Sequence, residues 1–488
     1  MTMEIQAPLI IAFDGQEHRL LENGTVVIKD DKIVYVGKTY SGQTDKKIEA
    51  KKRLIIPGLV NIHAHISGCP YERGYRGDRS SRNLGNSDLY DLAPPFWKSY
   101  TKQDQIVAVK YSLAELLRGG VTTVVEMGSV DGVGDEEAVD LAGKSGIRAY
   151  LLKGHMSGGW YTPDGRNILY HNFDGEKWKD ETGFKQLEES LRFIKSCSGL
   201  HNDRIRSFLY PEQADTCSPA LLKETRKVAD ENHLKIECHV SQSIVEFREI
   251  MRRHGKTPIQ YLADLGILGD DFIAGHAIMI GGHSKSGYPD LWNRDLELLS
   301  RTETSVAHCP TVFSRYGIAM ETYARYHSMG VNIGIGTDTF PQDVLREIRL
   351  ASTLSKIVEG EPSVATSLDL FNSATLGGAK ALKRPDIGRI APGAKADLVM
   401  VRLDTFNMCP MTDPIRILVQ AATNSDVDTV MIDGETVVEG GKVKNFDEEK
   451  TFEELQGAMD RIRSRVHKHD RLGRTADQLM SPSIKRWE

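Results

Sequence analysis

Apolar positions along this chain change their rhythm twice. Over residues 1–53 they fall in short strand-like stretches, Leu9-Ile10-Ile11-Ala12-Phe13, Gly24-Thr25-Val26-Val27-Ile28 and Lys32-Ile33-Val34-Tyr35-Val36-Gly37. The intervening Glu22-Asn23-Gly24 and Asp30-Asp31-Lys32 carry hairpin-turn chemistry. A unit this small holds no sheet core alone and needs a distant partner. From about 54 to 380, short apolar runs alternate with helical stretches, the pattern of βα units around a parallel sheet. The runs beginning at 54, 121, 147, 205, 234, 272, 305 and 331 number eight, enough to close a (β/α)8 barrel. Beyond 388 the antiparallel style returns, in Ala396-Asp397-Leu398-Val399-Met400-Val401 and a hairpin about Gly434. The pattern predicts an α/β protein: a TIM barrel over 54–380 and a composite β-sandwich from 1–53 and 381–446. A tail over 447–488 is predicted helical to about 470 and irregular after that.

Two stretches break the alternation. Residues 66–100 are rich in Gly, Arg, Ser and Asp, and 154–180 carry Trp160, Tyr161, Tyr170 and Trp178. Long loops in a compact domain are usually functional. Composition narrows the class. A net charge of −6 from mixed signs leaves no basic footprint for nucleic acid and no polybasic membrane patch. No apolar run approaches the ~20 residues of a membrane span, and the opening Met-Thr-Met-Glu-Ile-Gln lacks the n- and h-regions of a signal peptide. The six cysteines are scattered without a C-x-x-C pair, as reduced thiols are. The expectation is a cytoplasmic enzyme acting on a small molecule, with no nucleic acid or membrane partner, assembled as a homo-oligomer (dimer or tetramer).

The candidate chemistry lies where apolar strands stop. His63 and His65 are two apart at the end of the first run, so on a strand they point the same way. His239 ends the fifth run, His276 the sixth, His308 the seventh, and Asp338 follows the eighth in Gly336-Thr337-Asp338-Thr339. Barrels of this class place catalytic groups at C-terminal strand ends. Imidazoles plus a carboxylate suit one divalent metal, zinc first, with Fe2+ or Co2+ accepting the same donors. Such a metal lowers the pKa of a bound water toward ~7, and Asp338 is placed to take that water's proton and pass it to a leaving group. Taken singly, His239 or His276 reads as a satisfied core histidine and Asp338 as a helix cap. The joint pattern at consecutive strand ends argues against that.

Pro57-Gly58-Leu59-Val60-Asn61-Ile62-His63-Ala64-His65 resembles the strand-one signature of the amidohydrolase superfamily, within its atrazine chlorohydrolase/triazine hydrolase and cytosine deaminase-like branch. Glu115 to Val124, His308-Cys309-Pro310, Gly334 to Asp338 and Gly388 to Val399 extend the likeness along nearly the whole chain. The resemblance implies a metal-dependent hydrolase with a mononuclear site made by His63, His65, His239 and Asp338, and with His276 orienting or polarising water or substrate.

Two departures matter. Deaminases of that branch read His-x-x-Glu on strand five, whereas this chain reads His239-Val240-Ser241-Gln242. A glutamine hydrogen-bonds but carries no proton at neutral pH. Many relatives read Pro-His on strand four, where this chain has Pro211-Glu212. Glu212 is therefore a candidate for the displaced proton-transfer role, against the alternative of a solvated loop acid. Without the strand-five acid, ring deamination loses its proton donor. The expected reaction is thus cleavage of a non-peptide C–N bond (amide, carbamate or urea type) by attack of a metal-bound hydroxide. The alternatives are deamination of a purine, pyrimidine, pterin or s-triazine and, from another class, a non-catalytic barrel. Arg73, Trp97 and Trp160 on barrel-top loops are candidates to stack an aromatic or heterocyclic ligand, with Gln242 and His308 as further contacts. His155 is either site wall or a hydrogen-bonded loop residue.

Overall fold

Gly58 divides what the hydrophobic pattern presents as one strand. In the computed structural model, which describes residues 1–79, 81–162, 168–171, 180–290, 293–484 and 487, Arg53–Pro57 and Leu59–Ala64 belong to different sheets. The first barrel strand therefore begins at 59, not 54. A side chain at Gly58 would collide with the Thr122 hydroxyl of the neighbouring strand, and the Gly58 N–H donates to Asp397 O at 2.9 Å. Only glycine lets the chain pass so close between two sheets.

Arg53–Pro57 pairs parallel with Thr2–Phe13 and antiparallel with Leu398–Arg402, joining N- and C-terminal strands. The strands of the two termini come together, as expected, in one continuous nine-stranded mixed sheet. Its two halves share a core of Met3, Ile5, Ile10, Val26 and Ile55 with Ile390, Leu398 and Met400.

The barrel strands are β1 (Leu59–Ala64), β2 (Val121–Met127), β3 (Arg148–Leu152), β4 (Ile205–Arg206), β5 (Ile236–Val240), β6 (Phe272–His276), β7 (Ser305–His308) and β8 (Asn332–Ile335). They pair in parallel in the order β4-β3-β2-β1-β8-β7-β6-β5. A bridge from Leu209 to Ile236 links the continuation of β4 to β5 and closes the ring. The fourth run, expected as one strand, splits: Tyr210–Pro211 pairs separately with Gly154–His155. Val60, Ile62, Val125, Tyr150, Leu152, Phe208 and Ile273 pack together as part of one core. At the base, the fully buried Arg148 of β3 meets Asp433 Oδ1 at 2.7 Å and Asp397 at 3.3 Å. This ion pair ties the barrel to the terminal sheet.

Segment 66–100 is ordered by short helices at Cys69–Glu72 and Pro94–Trp97. The C-terminal helix Glu448–Arg465 lies against helix Lys102–Arg118, with Arg461 and Arg465 on the buried Asp104 at 3.0 and 2.5 Å. Past 470, where no regular structure was expected, Thr475 caps a helical turn, Ala476–Leu479. Ala476, Leu479 and Met480 pack with Tyr71, Tyr75 and Phe96. Trp178 lies outside the described residues. Among the described residues no helix is long and apolar enough to cross a membrane.

Candidate metal centre and active site

Bridging between β1 and the chain just past β8 sets the centre of the site. Ala64 pairs with Asp338, His65 N donates to Asp338 O at 2.6 Å, and Asp338 N donates to His63 O at 2.9 Å. Asp338 adopts a positive φ of 55° here, a conformation Asp tolerates better than most residues.

Three imidazoles are fixed by what their outer nitrogens bond. His63 Nδ1 lies 2.7 Å from Glu237 Oε1, His65 Nδ1 2.9 Å from Met127 O, and His239 Nδ1 2.6 Å from Glu212 O. With acceptors at each Nδ1, the proton resides there and each Nε2 turns a lone pair inward, the arrangement of metal-ligating histidines. The Nε2 atoms of His65 and His239 are 3.1 Å apart, and His63 Nε2 is buried with no partner. Converging lone pairs repel unless a cation lies among them. Ligand atoms of His63, His65 and Asp338, and likewise of His63, His239 and His276, lie within 4.8 Å of one another. The donor set fits one divalent ion. His276 Nε2 stands 3.6 Å from Asp338 Oδ2, with both its ring nitrogens otherwise unpartnered. Burial, reinforced by the neighbouring imidazoles, holds His239 and His276 well below the ordinary histidine pKa, in the neutral form.

Above this cluster opens a cavity of about 390 Å³, walled by His65, His239 and Asp338 on one side and the aromatics Trp97, Tyr100, Trp160, Tyr210, Phe313 and Tyr316 on others. Glu212 and Gln242 both line it. Burial, with the nearby Asp131 adding to it, pushes the Glu212 carboxyl up to about 8. Gln242 hydrogen-bonds through its side chain to Gln213.

Two expected contacts, Arg73 and His308, fall elsewhere. Arg73 turns away from the cavity to Tyr111 and Glu115. The helical turn sets Glu72 and Arg76, four apart, on the inner face and rotates position 73 outward. His308 is buried but does not line the cavity; burial lowers it to about 4. Of the two readings left open for His155, the structure favours the hydrogen-bonded one: it bonds Thr225 Oγ1 at 2.9 Å from the short strand Gly154–His155 and does not line the cavity. Conversely, sequence reasoning passed over Glu237, the acceptor behind His63, whose signal was a carboxylate inside the apolar strand Ile236–Val240. Arg76, from the same arginine-rich loop as Arg73, is the one that lines the cavity, buried between Glu72 (2.6 Å) and Asp88 (2.7 Å).

The family model for the amidohydrolase family matches residues 54–437. The chain belongs to the amidohydrolase family. A 5'-deoxyadenosine deaminase of Methanothermobacter thermautotrophicus is 32% identical over 446 residues, covering 90% of this chain and 94% of the relative. Two solved structures share the fold. An adenosine deaminase from Xanthomonas campestris with bound zinc superposes with TM-score 0.77 at 22% identity, covering 95% of this chain and 98% of that one. An atrazine chlorohydrolase from Arthrobacter aurescens TC1 complexed with zinc gives 0.73 at 20% identity, covering 94% and 100%. This amidohydrolase is a hydrolase of carbon–nitrogen bonds, in a superfamily that depends on divalent metals.

Proposed function

We propose that this amidohydrolase cleaves an acyl C–N bond (amide, carbamate or urea) in a small planar aromatic or heterocyclic molecule. Zinc is the proposed ion, held by His63, His65, His239 and Asp338. The observation that carries the reading is the neutral amide of Gln242 at the strand-five position: it is bonded to Gln213 and carries no proton to a ring nitrogen. The cavity volume lies in the range of about 300–1,000 Å³ usual for small-molecule sites, and its aromatic walls suit a flat ligand.

A divalent metal held by His63, His65, His239 and Asp338 would supply an acidified water and polarise the carbonyl. The Asp338 carboxylate would take up a proton from the attacking water and return it to the departing amine. Neutral His276, beside Asp338, hydrogen-bonds the developing oxyanion or the water. Trp97 and Trp160, on the cavity wall, hold the ring.

Deamination of an amino-heterocycle is the second reading. The name of the Methanothermobacter relative favours it, as does Glu212, which at a pKa of about 8 keeps its proton near neutrality and faces the same cavity. Zinc-loaded protein incubated with aromatic amides, ureas, carbamates and amino-heterocycles separates the two by product mass and ammonia release. Acid plus amine is expected; ammonia from amino-heterocycles alone would replace the first reading by the second. Glu212→Gln should lower kcat by about 10²–10⁴ if that carboxyl donates the leaving-group proton, and unaltered turnover removes it from the mechanism.

A further inference from the structure

Gln213 and Gln242 form a pair whose hydrogen-bonding capacity is left half used. Gln213 is 2% exposed and Gln242 7%, and both line the cavity that holds the metal ligands. Gln213 bridges to His239 in parallel register, and the backbone N–H of Gln242 is fixed on Glu246 Oε2 at 2.8 Å. The two side chains therefore stand on the walls of the barrel mouth rather than on a mobile loop. Their mutual bond runs from Gln242 Nε2 to Gln213 Oε1. It leaves the Gln213 amino group buried without a partner and the Gln242 carbonyl facing no donor.

Reversing the two amide groups leaves the same capacity unused. A bond between two carboxamides always consumes one oxygen and one N–H, so one amino group and one carbonyl remain in either assignment. A buried unpartnered amide is costly and marks a site awaiting a ligand or water.

We propose that the Gln213–Gln242 pair is a neutral donor–acceptor edge that reads a carboxamide-type edge of the substrate, a C=O beside an N–H, as in a primary amide, urea or lactam. This deepens the acyl C–N reading and rests on it for the substrate class, while recognition itself needs no turnover. A fixed neutral pair discriminates by leaving its own groups unpaired when the ligand lacks the complement, the strongest form of polar selectivity. It gives no preference to a carboxylate, and the cavity already holds the carboxyl groups of Glu72, Asp88 and Asp338 against one Arg76.

Binding to the metal-loaded protein, followed by quenching of tryptophan fluorescence, tests the pair with three probes of one ring size: benzamide, N,N-dimethylbenzamide and benzoate. Trp97 and Trp160 line the cavity and report occupancy. Benzamide should bind at least tenfold tighter than either analogue. Gln213→Met and Gln242→Met should each bring the benzamide-to-dimethylbenzamide ratio near one. Equal binding of benzamide and its dimethyl analogue by the unaltered protein overturns the proposal without any variant. So does a ratio unchanged in a folded Gln213→Met protein. Selective benzamide binding in an enzyme found to release only ammonia would leave the edge standing and overturn the acyl C–N reading alone.

Discussion

Glu237 stands two residues before His239 on β5, and its carboxylate accepts from His63 Nδ1. Burial opposes the protonation of His63, but the hydrogen bond and charge of Glu237 outweigh it and raise the histidine pKa. In the metal-ligating state the shared proton stays on Nδ1, and the carboxylate makes Nε2 a better donor. Glu237→Gln should weaken metal affinity by about 10–100-fold, measured by chelator competition on the purified protein. An affinity within twofold of the parent would mean that Glu237 only fills space. The proposed ligands stand at or just past strand ends, which apolar runs mark in the sequence. Glu237 was hidden because its partner is 174 residues away, a distance along the chain that no local pattern spans.

At the level of elements, segment 66–100 is where local reasoning gave least. Its composition marked it as irregular and functional, yet Arg76 organises it. The Arg76 guanidinium bonds Asp88 through Nε and Nη2 at 2.7 and 2.8 Å and Glu72 through Nη1 at 2.6 Å, and Tyr316 reaches the same cluster. Glu72 in turn accepts from Trp97 Nε1 at 2.8 Å, so the buried charge cluster orients a cavity wall. Removing one partner of a buried ion pair strands the others. Arg76→Met should destabilise the protein by about 3–5 kcal/mol, seen as a lower urea midpoint, with a raised KM. Arg73→Met, whose pair with Glu115 is at the surface, should cost under about 1 kcal/mol and leave KM unchanged. Equal effects of the two variants would contradict this division of roles. The tail 447–480 completes the element, since Arg471 and Arg474 reach Asp91 and the Arg79 guanidinium donates to Leu479 O at 2.8 Å.

Across the whole molecule, stability depends on how the terminal sheet meets the barrel. His18 on strand His18–Lys29 crosses that boundary: its Nε2 lies 3.2 Å from Thr375 Oγ1, and its ring packs edge-on against Phe371. Burial first, then the charge of Arg389, lowers its pKa to about 4. The unfolded chain binds a proton at this histidine near pH 6.5 while the folded one does not. His18 therefore has no effect above that pH and costs stability as pH falls from 6.5 to 4, by about 2 kcal/mol at pH 5. His18→Phe should flatten the pH dependence of the urea midpoint between pH 7 and 5 relative to the parent. Parallel profiles for parent and variant would contradict the assignment.

Periodicity alone determined the eight parallel strands, the antiparallel strands at the two ends of the chain, and the strand ends where the proposed metal ligands stand. These are local properties: an apolar run with a polar residue at its end declares itself within about six positions. Only tertiary structure decided that Gly58 parts the first run between two sheets and that Arg76 rather than Arg73 faces the cavity. It alone decided which groups stand behind the ligands and that Gln213 and Gln242 present one polar edge. Each of those outcomes depends on atoms from distant segments meeting at a few ångströms, which packing sets and local pattern does not encode.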